Sequence, residues 1–534
     1  MNRRIENAEA QGIDMRYEPE AQHASTALTV YENRKKTKIL LVEPETPISY
    51  WSYDHTLPLI DKKAAYPPLG LITLAAMLPE EWELSLADSN TGTLTQEAIE
   101  RSDAVFIGGM HIQSQSFHEL VKRAHAAGKT VVGGGPYVTS SPNECQDLDH
   151  LVLGEVEGGI EEWSWQFEQG IAPKMAQMPP FPKLDETKIP RFDMIDPKDY
   201  ASVGLQLSRG CPHDCEFCSV TKLNGRRPRL KGTKQFLEEA EALRKSGFRG
   251  SAFVVDDNFI GNHKAVEEML PELAAWQKKH GYPLDFFTQA DLRLAKFDSL
   301  MEKMVDAGFS GVFLGIETPS KEALKESGKH QNSGIDLDAA VRKIAEAGLE
   351  PMAGFIMGFD SDKEEDLDAL QAFINRNPIP HAMVGVLQAI PKTDLHARMQ
   401  REGRLLREYD GDQFGTANFE TVMDPAVLRG KYAEVLRSIY SPQNYFDRCL
   451  QLMRIRKNPR YSLYRHKLKF GLNALKNSLI QQGLCSDYRA RYWQFLSRVA
   501  VGMTDKIHAA VTYAAKFHHY YRYTQEDVLP RLTT

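Results

Sequence analysis

The sequence predicts an α/β protein: a doubly wound, Rossmann-like N-terminal domain, then a partial (β/α)6 barrel, then a mostly helical C-terminal region. Two observations indicate this class. Apolar runs typical of buried strands alternate with amphipathic segments up to about residue 400, and glycines follow several of those runs. Beyond that point the strand pattern fades. The predicted domains are a polar N-terminal arm (1–36), a first α/β domain (37–170), a linker (171–200), a barrel (201–400) and a C-terminal helical domain (401–534).

The composition is that of a globular protein with more than one domain. The chain has 534 residues, which exceeds one ordinary core, and 42% of them are hydrophobic and 26% charged. A net charge of −7 provides no overall attraction to nucleic acid, so we expect no nucleic-acid partner. The N-terminus lacks the apolar segment of a secretion signal, and no apolar run is long enough to span a bilayer. We therefore expect a cytoplasmic protein.

The first α/β series runs from the strand 37-TKILLVEP-44 to the short strand 151-LVLGE-155, which ends at Glu155. A helix begun by proline, 68-PLGLITLAAMLP-79, follows the first strand. Strands that alternate with helices imply a parallel sheet, whose ligands bind beyond the carboxyl ends of the strands. Glycines at these ends let a ligand approach the backbone. They are Gly108, Gly109, Gly133, Gly134 and Gly135.

Six strand-like segments follow the linker, with amphipathic segments between them. They cover 203–210, 251–259, 284–294, 311–318, 352–359 and 382–391. This series is typical of a partial barrel, whose active site lies at the carboxyl ends of its strands. Gln289 and Arg293 alternate with Asp291 on the third predicted strand, where they suit an inward-facing ligand site or a salt-bridge network.

The segment 208-SRGCPHDCEFCSVTK-222 holds three of the six cysteines, and it leaves the first barrel strand at its carboxyl end. In a reducing compartment such a group is typical of a metal site. An iron–sulfur cluster held by three thiolates would keep one iron open. The alternative is a structural zinc with His213 as fourth ligand. The spacing favours iron–sulfur, because zinc ligands usually come from two separated knuckles and only one is present.

The stretch SRGCPHDCEFCS resembles the signature loop of the radical S-adenosylmethionine (SAM) superfamily, with the aromatic Phe217 before the last cysteine. The superfamily's fold is a partial (β/α)6 barrel. The resemblance implies that Cys211, Cys215 and Cys218 bind a [4Fe–4S] cluster whose open iron chelates SAM. An electron from a donor such as flavodoxin or ferredoxin would then cleave SAM to a 5′-deoxyadenosyl radical, which abstracts hydrogen from an unactivated carbon.

The same resemblance implies SAM contacts at the ends of the barrel strands. Asp256, Asp257 and Asn258 end the second strand, where the superfamily places such contacts. From their positions on the later strands, Gln289, Arg293, Glu317 and Gly354 are further candidates, and Phe217 lies in the cysteine loop itself. For Asp256, Asp257 and Asn258 the alternative is turn chemistry at a strand end.

Three stretches of the first domain are similar to the cobalamin-binding domain that precedes the barrel in one radical SAM class: 66–79, 131–139 and 154–158. The similarity implies a cobalamin site formed by Tyr66, Pro67, Pro68, Leu69, Gly70, Glu155 and the five glycines named above. The D-x-H-x-x-G motif of cobalamin mutases is absent, so a histidine of that motif does not fill the lower axial position. The alternative is a flavodoxin-like domain that only packs on the barrel.

Further stretches, at 354–366, 382–395 and 401–405, resemble a subgroup that includes the hopanoid methylases. The resemblance implies a C-methyltransferase that transfers methyl from methylcobalamin to an unactivated carbon of a small-molecule or lipid substrate. The alternatives are a cyclisation or rearrangement with the same cofactors, and a non-catalytic cobalamin or redox sensor.

The segment 451–500 is basic and aromatic. It is interpreted either as a face for peripheral contact with an anionic membrane or as a helical cap with solvated charges.

Overall fold

The computed structural model describes residues 36–457 and 474–533, so the predicted polar arm lies outside the described residues except for Lys36. The first domain is a parallel sheet in the order β2-β1-β3-β4-β5-β6. Its strands are β1 (Lys38–Glu43), β2 (Glu83–Asp88), β3 (Ala104–Gly108), β4 (Thr130–Gly134), β5 (His150–Leu153) and β6 (Met175–Gln177). Its helices are α1 (Leu69–Met77), α2 (Gln96–Arg101), α3 (Ser114–Ala126), α4 (Gly135–Ser140) and α5 (Ile160–Glu168).

Both faces of this sheet are covered, which explains the continuous apolar run of β1. Ile39 and Leu41 pack into one core, and Leu40 and Val42 pack into another on the opposite face, as the two-residue period of a strand requires. Because β2 and β3 lie on opposite sides of β1, the strand order reverses there, and ligands bind at such a switch point. The doubly wound prediction is confirmed. The sheet also takes β6 from the segment predicted as a linker.

The second sheet is a curled, all-parallel half barrel in the order β14-β13-β12-β11-β10-β7, which confirms the predicted six-stranded series. Its strands are β7 (Ser202–Leu205), β10 (Gly250–Val254), β11 (Leu284–Ala290), β12 (Phe309–Glu317), β13 (Glu350–Met357) and β14 (Ala382–Val386), while β8 (Ser208–Arg209) and β9 (Arg229–Leu230) form a separate antiparallel pair. The accompanying helices are α6 (Val220–Leu223), α7 (Thr233–Lys245), α8 (His263–Lys279), α9 (Asp298–Asp306), α10 (Lys321–Glu326), α11 (Leu337–Ala347), α12 (Glu364–Arg376) and α13 (Asp394–Arg401).

Four predicted strands end earlier than expected: those predicted over 203–210, 251–259, 284–294 and 382–391 end at Leu205, Val254, Ala290 and Val386. The first ends at Leu205, because Ser208 and Arg209 pair with β9 instead of the barrel. The third ends at Ala290, because the Asp291 side chain accepts a hydrogen bond from the Arg293 backbone N–H and starts a 3-10 turn. The placement of Arg293 on the strand is therefore wrong.

The C-terminal region is helical, as predicted. Its helices are α14 (Pro425–Ile439), α15 (Pro442–Ile455), α16 (Arg489–Gly502), α17 (Ile507–Tyr523) and α18 (Leu529–Thr533). None of the helices in the described ranges has the length and apolarity needed to cross a membrane.

A covering segment, residues 49–66, closes the open edge of the half barrel between β7 and β14. Ala64 forms a parallel bridge with Tyr200, next to β7. Tyr50 stacks on Tyr440 with 5.2 Å between ring centroids, and the Tyr440 hydroxyl donates to a carbonyl oxygen of β14. The covering segment therefore lies across the open edge of the barrel.

Candidate active site

The cysteine loop (residues 211–218) lies at the mouth of the half barrel. Gly210 precedes it with φ of +98°, and a Cβ there would stand 2.8 Å from the Gly225 carbonyl oxygen, so only glycine fits. The loop is tied by two backbone hydrogen bonds, from Cys211 N to Gly225 O at 3.2 Å and from Cys218 N to Cys215 O at 3.0 Å. The backbone therefore turns tightly around the three thiols.

The three thiols are free and lie close enough to interact electrostatically. Burial raises the pKa of all three, and it raises that of Cys218 to about 12. Thiolates in such a place need positive charge beside them. Iron ions supply that charge, so the donor set fits a thiolate-bound cluster.

Polar side chains from two barrel loops face the cysteine sulfurs. Asn258 Nδ2 lies 3.9 Å from Cys211 Sγ, and Gln331 Nε2 lies 3.6 Å from Cys215 Sγ. The Lys329 ammonium group is buried and lowers the pKa of Cys215 and Cys218. Donors of this kind stabilise negative charge on cluster sulfur.

The residues after β10 hold the cysteine loop in place. Asp256 is fully buried and accepts hydrogen bonds from Leu207 N at 2.8 Å and Ser208 Oγ at 2.6 Å. Asp257 accepts from Gly210 N at 2.7 Å and from Asn224 Nδ2 at 3.0 Å. Both oxygens of Asp256 are thus used within the protein, in bonds to the segment before the cysteine loop and not in a local turn.

His213 is engaged away from the thiols. Its Nε2 lies 2.9 Å from Asp291 Oδ2 and 2.8 Å from Arg293 Nη2. In the described ranges, no three His, Cys, Asp or Glu side chains are arranged to hold a single metal ion. The geometry thus gives no support to the zinc alternative.

Glu317 is strained and buried beside the loop. Its φ is +65°, a conformation that costs energy for a residue with a Cβ, and it forms an ion pair with Lys329. Gly354 lies next to it, since a Cβ there would stand 3.8 Å from Glu317 Oε2. The Phe217 ring lies 5.9 Å from Lys329 Nζ. These residues therefore form one group around the cysteine loop.

A cavity of about 2180 Å³ lies between the two α/β domains and continues into the half barrel. Thirteen of the sequence-predicted residues line it: Tyr66, Pro67, Pro68, Leu69, Gly70, Gly108, Gly109, Gly133, Gly134, Gly135, Glu155, Asp257 and Gln289. Nine predicted residues gather at the cysteine loop and strand ends instead of in the cavity wall: Cys211, Cys215, Cys218, Phe217, Asp256, Asn258, Arg293, Glu317 and Gly354. Ser219 and Asn224, which follow the loop, do line the cavity.

The glycine edge of the first sheet forms one wall of the cavity. At Gly135, where φ is +88°, a Cβ would stand 3.2 Å from Gly109 O. At Gly70 a Cβ would meet nothing within 4 Å. This edge is at the switch point of the sheet and fits a large, flat cofactor such as a corrin.

Residues 205–374, which form most of the half barrel, match the family described as the radical SAM superfamily. A second family, described as a domain of unknown function, DUF4070, covers residues 393–529.

Two relatives match nearly the whole chain. An uncharacterized methyltransferase of Synechocystis is 38% identical over 91% of this chain and 92% of its own length. The hopanoid C-2 methylase of Rhodopseudomonas palustris is 34% identical over 92% of this chain and 94% of its own. The chain belongs to this radical SAM family. It is a radical SAM enzyme whose full-length relatives carry methyltransferase names.

Solved structures confirm the fold of this radical SAM enzyme. The methyltransferase TsrM from Kitasatospora setae, with cobalamin and a [4Fe–4S] cluster bound, has a TM-score of 0.56 and 14% identity, and covers 90% of this chain and 99% of its own. OxsB, a cobalamin-dependent SAM radical enzyme with aqua-cobalamin bound, has a TM-score of 0.57 and 14% identity. It covers 95% of this chain and 81% of its own. The predicted pairing of a cobalamin-domain fold with a radical SAM barrel fold is thus confirmed.

Sequence reasoning missed several residues of the radical SAM site. Arg209 donates to Glu155 Oε2 at 2.8 Å and to Glu157 Oε2 at 2.9 Å, which joins the barrel to the first domain. Arg229 adds a bond of 2.6 Å to Glu155 Oε1. Glu155 therefore lines the cavity as part of a domain-joining ion cluster. Only the neighbouring acids of GEVEG could have signalled it.

The first domain also contributes polar groups that the sequence did not single out. Gln113 Nε2 donates to Glu43 Oε1 at 2.7 Å, and burial raises the pKa of Glu43 to about 8. His111 lies in the cavity wall, where burial lowers its pKa to about 4. At neutral pH these two side chains therefore face the cavity uncharged.

Proposed function

We propose that this radical SAM enzyme is a cobalamin-dependent C-methyltransferase that acts on an unactivated carbon of a hydrophobic substrate. The observation that carries the proposal is the shared cavity: the segment after the cysteine loop and the glycine edge of the first sheet line the same enclosed space. Two cofactors held on opposite walls would meet one substrate there. The names of both full-length relatives favour methyl transfer over cyclisation or sensing.

Three groups of residues in this chain bind the three cofactors. Cys211, Cys215 and Cys218 hold the [4Fe–4S] cluster, and the barrel strand ends with Asp257, Gln289, Arg293, Glu317 and Gly354 bind SAM. Tyr66 to Gly70, the glycine edge and Glu155 hold cobalamin. When bound, the cluster and SAM supply a 5′-deoxyadenosyl radical, and cobalamin supplies the methyl group. The covering segment and the domain-joining ion cluster exclude water from the space between them.

The substrate is a hydrophobic molecule, and a hopanoid is the candidate. One relative is named hopanoid C-2 methylase and matches 92% of the chain. Aromatic side chains dominate the barrel part of the cavity, including Trp51, Phe253, Phe287 and Phe313. Such a wall favours an apolar ligand. Flavodoxin or ferredoxin delivers the electron.

Peripheral membrane contact would suit a lipid substrate. Leu484 and Trp493 are exposed, at 66% and 46%, and the exposed Arg489 and Arg491 lie nearby in sequence. Arg456, which the sequence assigned to the basic face, does not lie on it, because its guanidinium donates to the carbonyl oxygens of Gly348 and Ser310 inside the protein. Residues 458–473 of the predicted face lie outside the described residues. Co-sedimentation with phosphatidylserine vesicles tests the contact: a Trp493→Ser, Arg491→Ser variant is expected to stay in solution, and equal binding by both proteins would contradict it.

The test of the function is a labelled-methyl assay. The anaerobically reconstituted enzyme, given cobalamin, a reductant, methyl-labelled SAM and a hopanoid extract, is expected to transfer label to a hopanoid carbon and to form 5′-deoxyadenosine. The Cys215→Ala variant should do neither. A wild-type enzyme that forms 5′-deoxyadenosine with every hopanoid offered but never transfers label would refute methyl transfer.

A further inference from the structure

The interior of the half barrel is hollow. Along β11 the residues that face the helices are buried, whereas Asp285, Phe287 and Gln289 face the cavity and stay partly accessible. In a closed barrel the inward side chains fill the interior. Here Gly204 and Gly311 add no side chain to the inner wall. The cavity therefore extends from the carboxyl ends of the strands to their amino ends, about 13 Å along β11 at about 3.3 Å per residue.

The middle of this space is apolar. Phe253 stacks on Phe287 with 4.7 Å between centroids and 3° between planes. Phe313 packs against Trp51 of the covering segment at 5.0 Å. Met352 completes the wall on β13. An apolar molecule that entered from the cofactor end would be desolvated here.

The far end is polar instead. Five strands each place one polar residue at the amino end, facing the cavity: Ser202, Ser251, Asp285, Ser310 and Glu350. We call this ring the barrel base. Ser202 Oγ donates to Ser251 O at 2.8 Å and Ser310 Oγ donates to Phe286 O at 3.5 Å, so these hydroxyls are satisfied within the sheet. The carboxylates are the groups of the base whose burial costs free energy unless a partner meets them.

Glu350 is the centre of the barrel base. Tyr513 donates to its Oε2 at 2.7 Å, and Arg456 Nη1 lies 3.4 Å from the same oxygen. Its Oε1 lies 3.4 Å from His381 Nδ1 but accepts no hydrogen bond from the described residues. Burial raises the pKa of Glu350, but the cations nearby outweigh it and lower the pKa to about 2, so the carboxylate is charged. Because Oε1 is itself buried, Oε2 is the oxygen that a ligand in the cavity can meet.

Lys516, on α17, faces the same space. Its pKa is lowered by burial and raised by Glu350 and Asp285, which shows that both carboxylates are close. No ion pair within 4.0 Å is found for its ammonium group among the described residues. Arg456 interacts with the same two carboxylates. Among the described residues, the charges of Glu350 and Asp285 are opposed by those of Lys516 and Arg456, so a bound group with a net charge would disturb these pairs in a poorly solvated place.

We propose that the barrel base binds the uncharged, hydroxylated end of an elongated apolar substrate, with Glu350 accepting from the hydroxyl and Lys516 donating to it. The proposal rests on the function proposed above and adds the direction of binding. The apolar end of the substrate then lies at the mouth of the barrel, beside the cysteine loop. Methylation occurs at the end of the molecule opposite its hydroxyl group.

Equilibrium binding to the reconstituted holoenzyme tests this. The probes are a radiolabelled hopanoid hydrocarbon, the same hopanoid with a terminal hydroxyl, and the same hopanoid with a terminal carboxylate. The wild type should bind the alcohol at least about fivefold more tightly than the hydrocarbon, since a hydrogen bond to a charged group adds that much affinity. It should bind the carboxylate more weakly than the alcohol.

The variants Lys516→Met and Glu350→Gln should lose the preference for the alcohol and keep the hydrocarbon affinity. Lys278→Met, exposed on α8, is the matched control and should keep the preference. Gly311→Leu should block all three probes by filling the inner wall. This last variant serves if the charge variants fold poorly.

Equal affinity for alcohol and hydrocarbon, tighter binding of the carboxylate, or no binding of any probe overturns the proposal. So does a preference that survives in a folded Lys516→Met variant. These readouts need no turnover. If the alcohol preference appears while label is never transferred, the barrel base stands and methyl transfer fails; if label is transferred without the preference, the reverse holds.

Discussion

Lys329 is buried in an ion pair with Glu317, and its ammonium group stands over the Phe217 ring, 5.9 Å from the centroid. Its positive charge lowers the pKa values of Cys215 and Cys218, against the effect of burial, which raises them. A positive charge at this place favours the reduced, more negative form of a cluster.

We expect Lys329→Met to lower the reduction potential of the cluster. The loss of one buried positive charge beside the cluster, at an effective dielectric of about 20, should shift the potential by on the order of 100 mV for one electron. A redox titration followed by electron paramagnetic resonance measures it. Lys325→Met, exposed on α10, is the control. Because the variant leaves Glu317 unpaired, the double variant with Glu317→Gln should return the potential toward that of the wild type. An unchanged potential in the single variant would contradict the assignment.

Removing one thiol should remove the cluster. Cys218→Ala is expected to lose most of the bound iron and sulfide and the brown absorbance of the anaerobic protein, because two thiolates hold a cubane poorly. Cys485→Ala, at an exposed cysteine outside the loop, should retain both. Iron and sulfide analysis is the measurement. A wild-type protein that contains zinc alone would contradict the assignment of an iron–sulfur cluster to these cysteines.

The joint between the domains depends on Arg209. Arg209→Met leaves Glu157, which is 1% exposed, without its partner, and such losses cost about 3–5 kcal/mol. We expect a lower thermal midpoint and faster proteolysis between the domains. Arg226→Met breaks the exposed pair with Asp214 and should cost less than about 1 kcal/mol. Equal effects of the two changes would argue against the joint.

The same variant carries a pH signature. Arg209 holds the pKa of Glu157 below its usual value. The ion pair therefore contributes fully above the ordinary glutamate pKa, and its contribution is lost as the pH falls through the folded-state value. The stability difference between wild type and Arg209→Met should shrink on acidification, as thermal unfolding at a series of pH values would show. A difference independent of pH would exclude this origin.

Glu43 should make the cofactor-free protein less stable as the pH rises. Its folded-state pKa is raised to about 8 from 4.5 by burial, so its ionisation opposes folding between those values. Glu43→Gln should remove that loss and raise the unfolding midpoint near pH of about 8, whereas Glu45→Gln, exposed beside it, should not. Parallel pH profiles for wild type and Glu43→Gln would count against the raised pKa.

Local patterns in the sequence led to the correct domain folds. The apolar runs of β1, β3 and β4 and the glycines that end β3 and β4 are features of neighbouring residues, and so is the spacing of Cys211, Cys215 and Cys218. The end of a strand is less local. Arg293 was assigned to β11 from its alternation with Asp291, but the Asp291 side chain accepts a hydrogen bond from the Arg293 backbone N–H and ends the strand.

By itself, the sequence determined the two α/β folds, the three-thiol loop and the glycine edge, because each depends on residues a few positions apart. The tertiary structure alone decided that Lys329 stands beside the thiols, that Arg209 joins the domains, and that Glu350 and Lys516 meet at the base of a hollow barrel. Those pairs are separated by long stretches of chain. They come together only when the half barrel curls and its open edge is covered, and no local pattern records that closure.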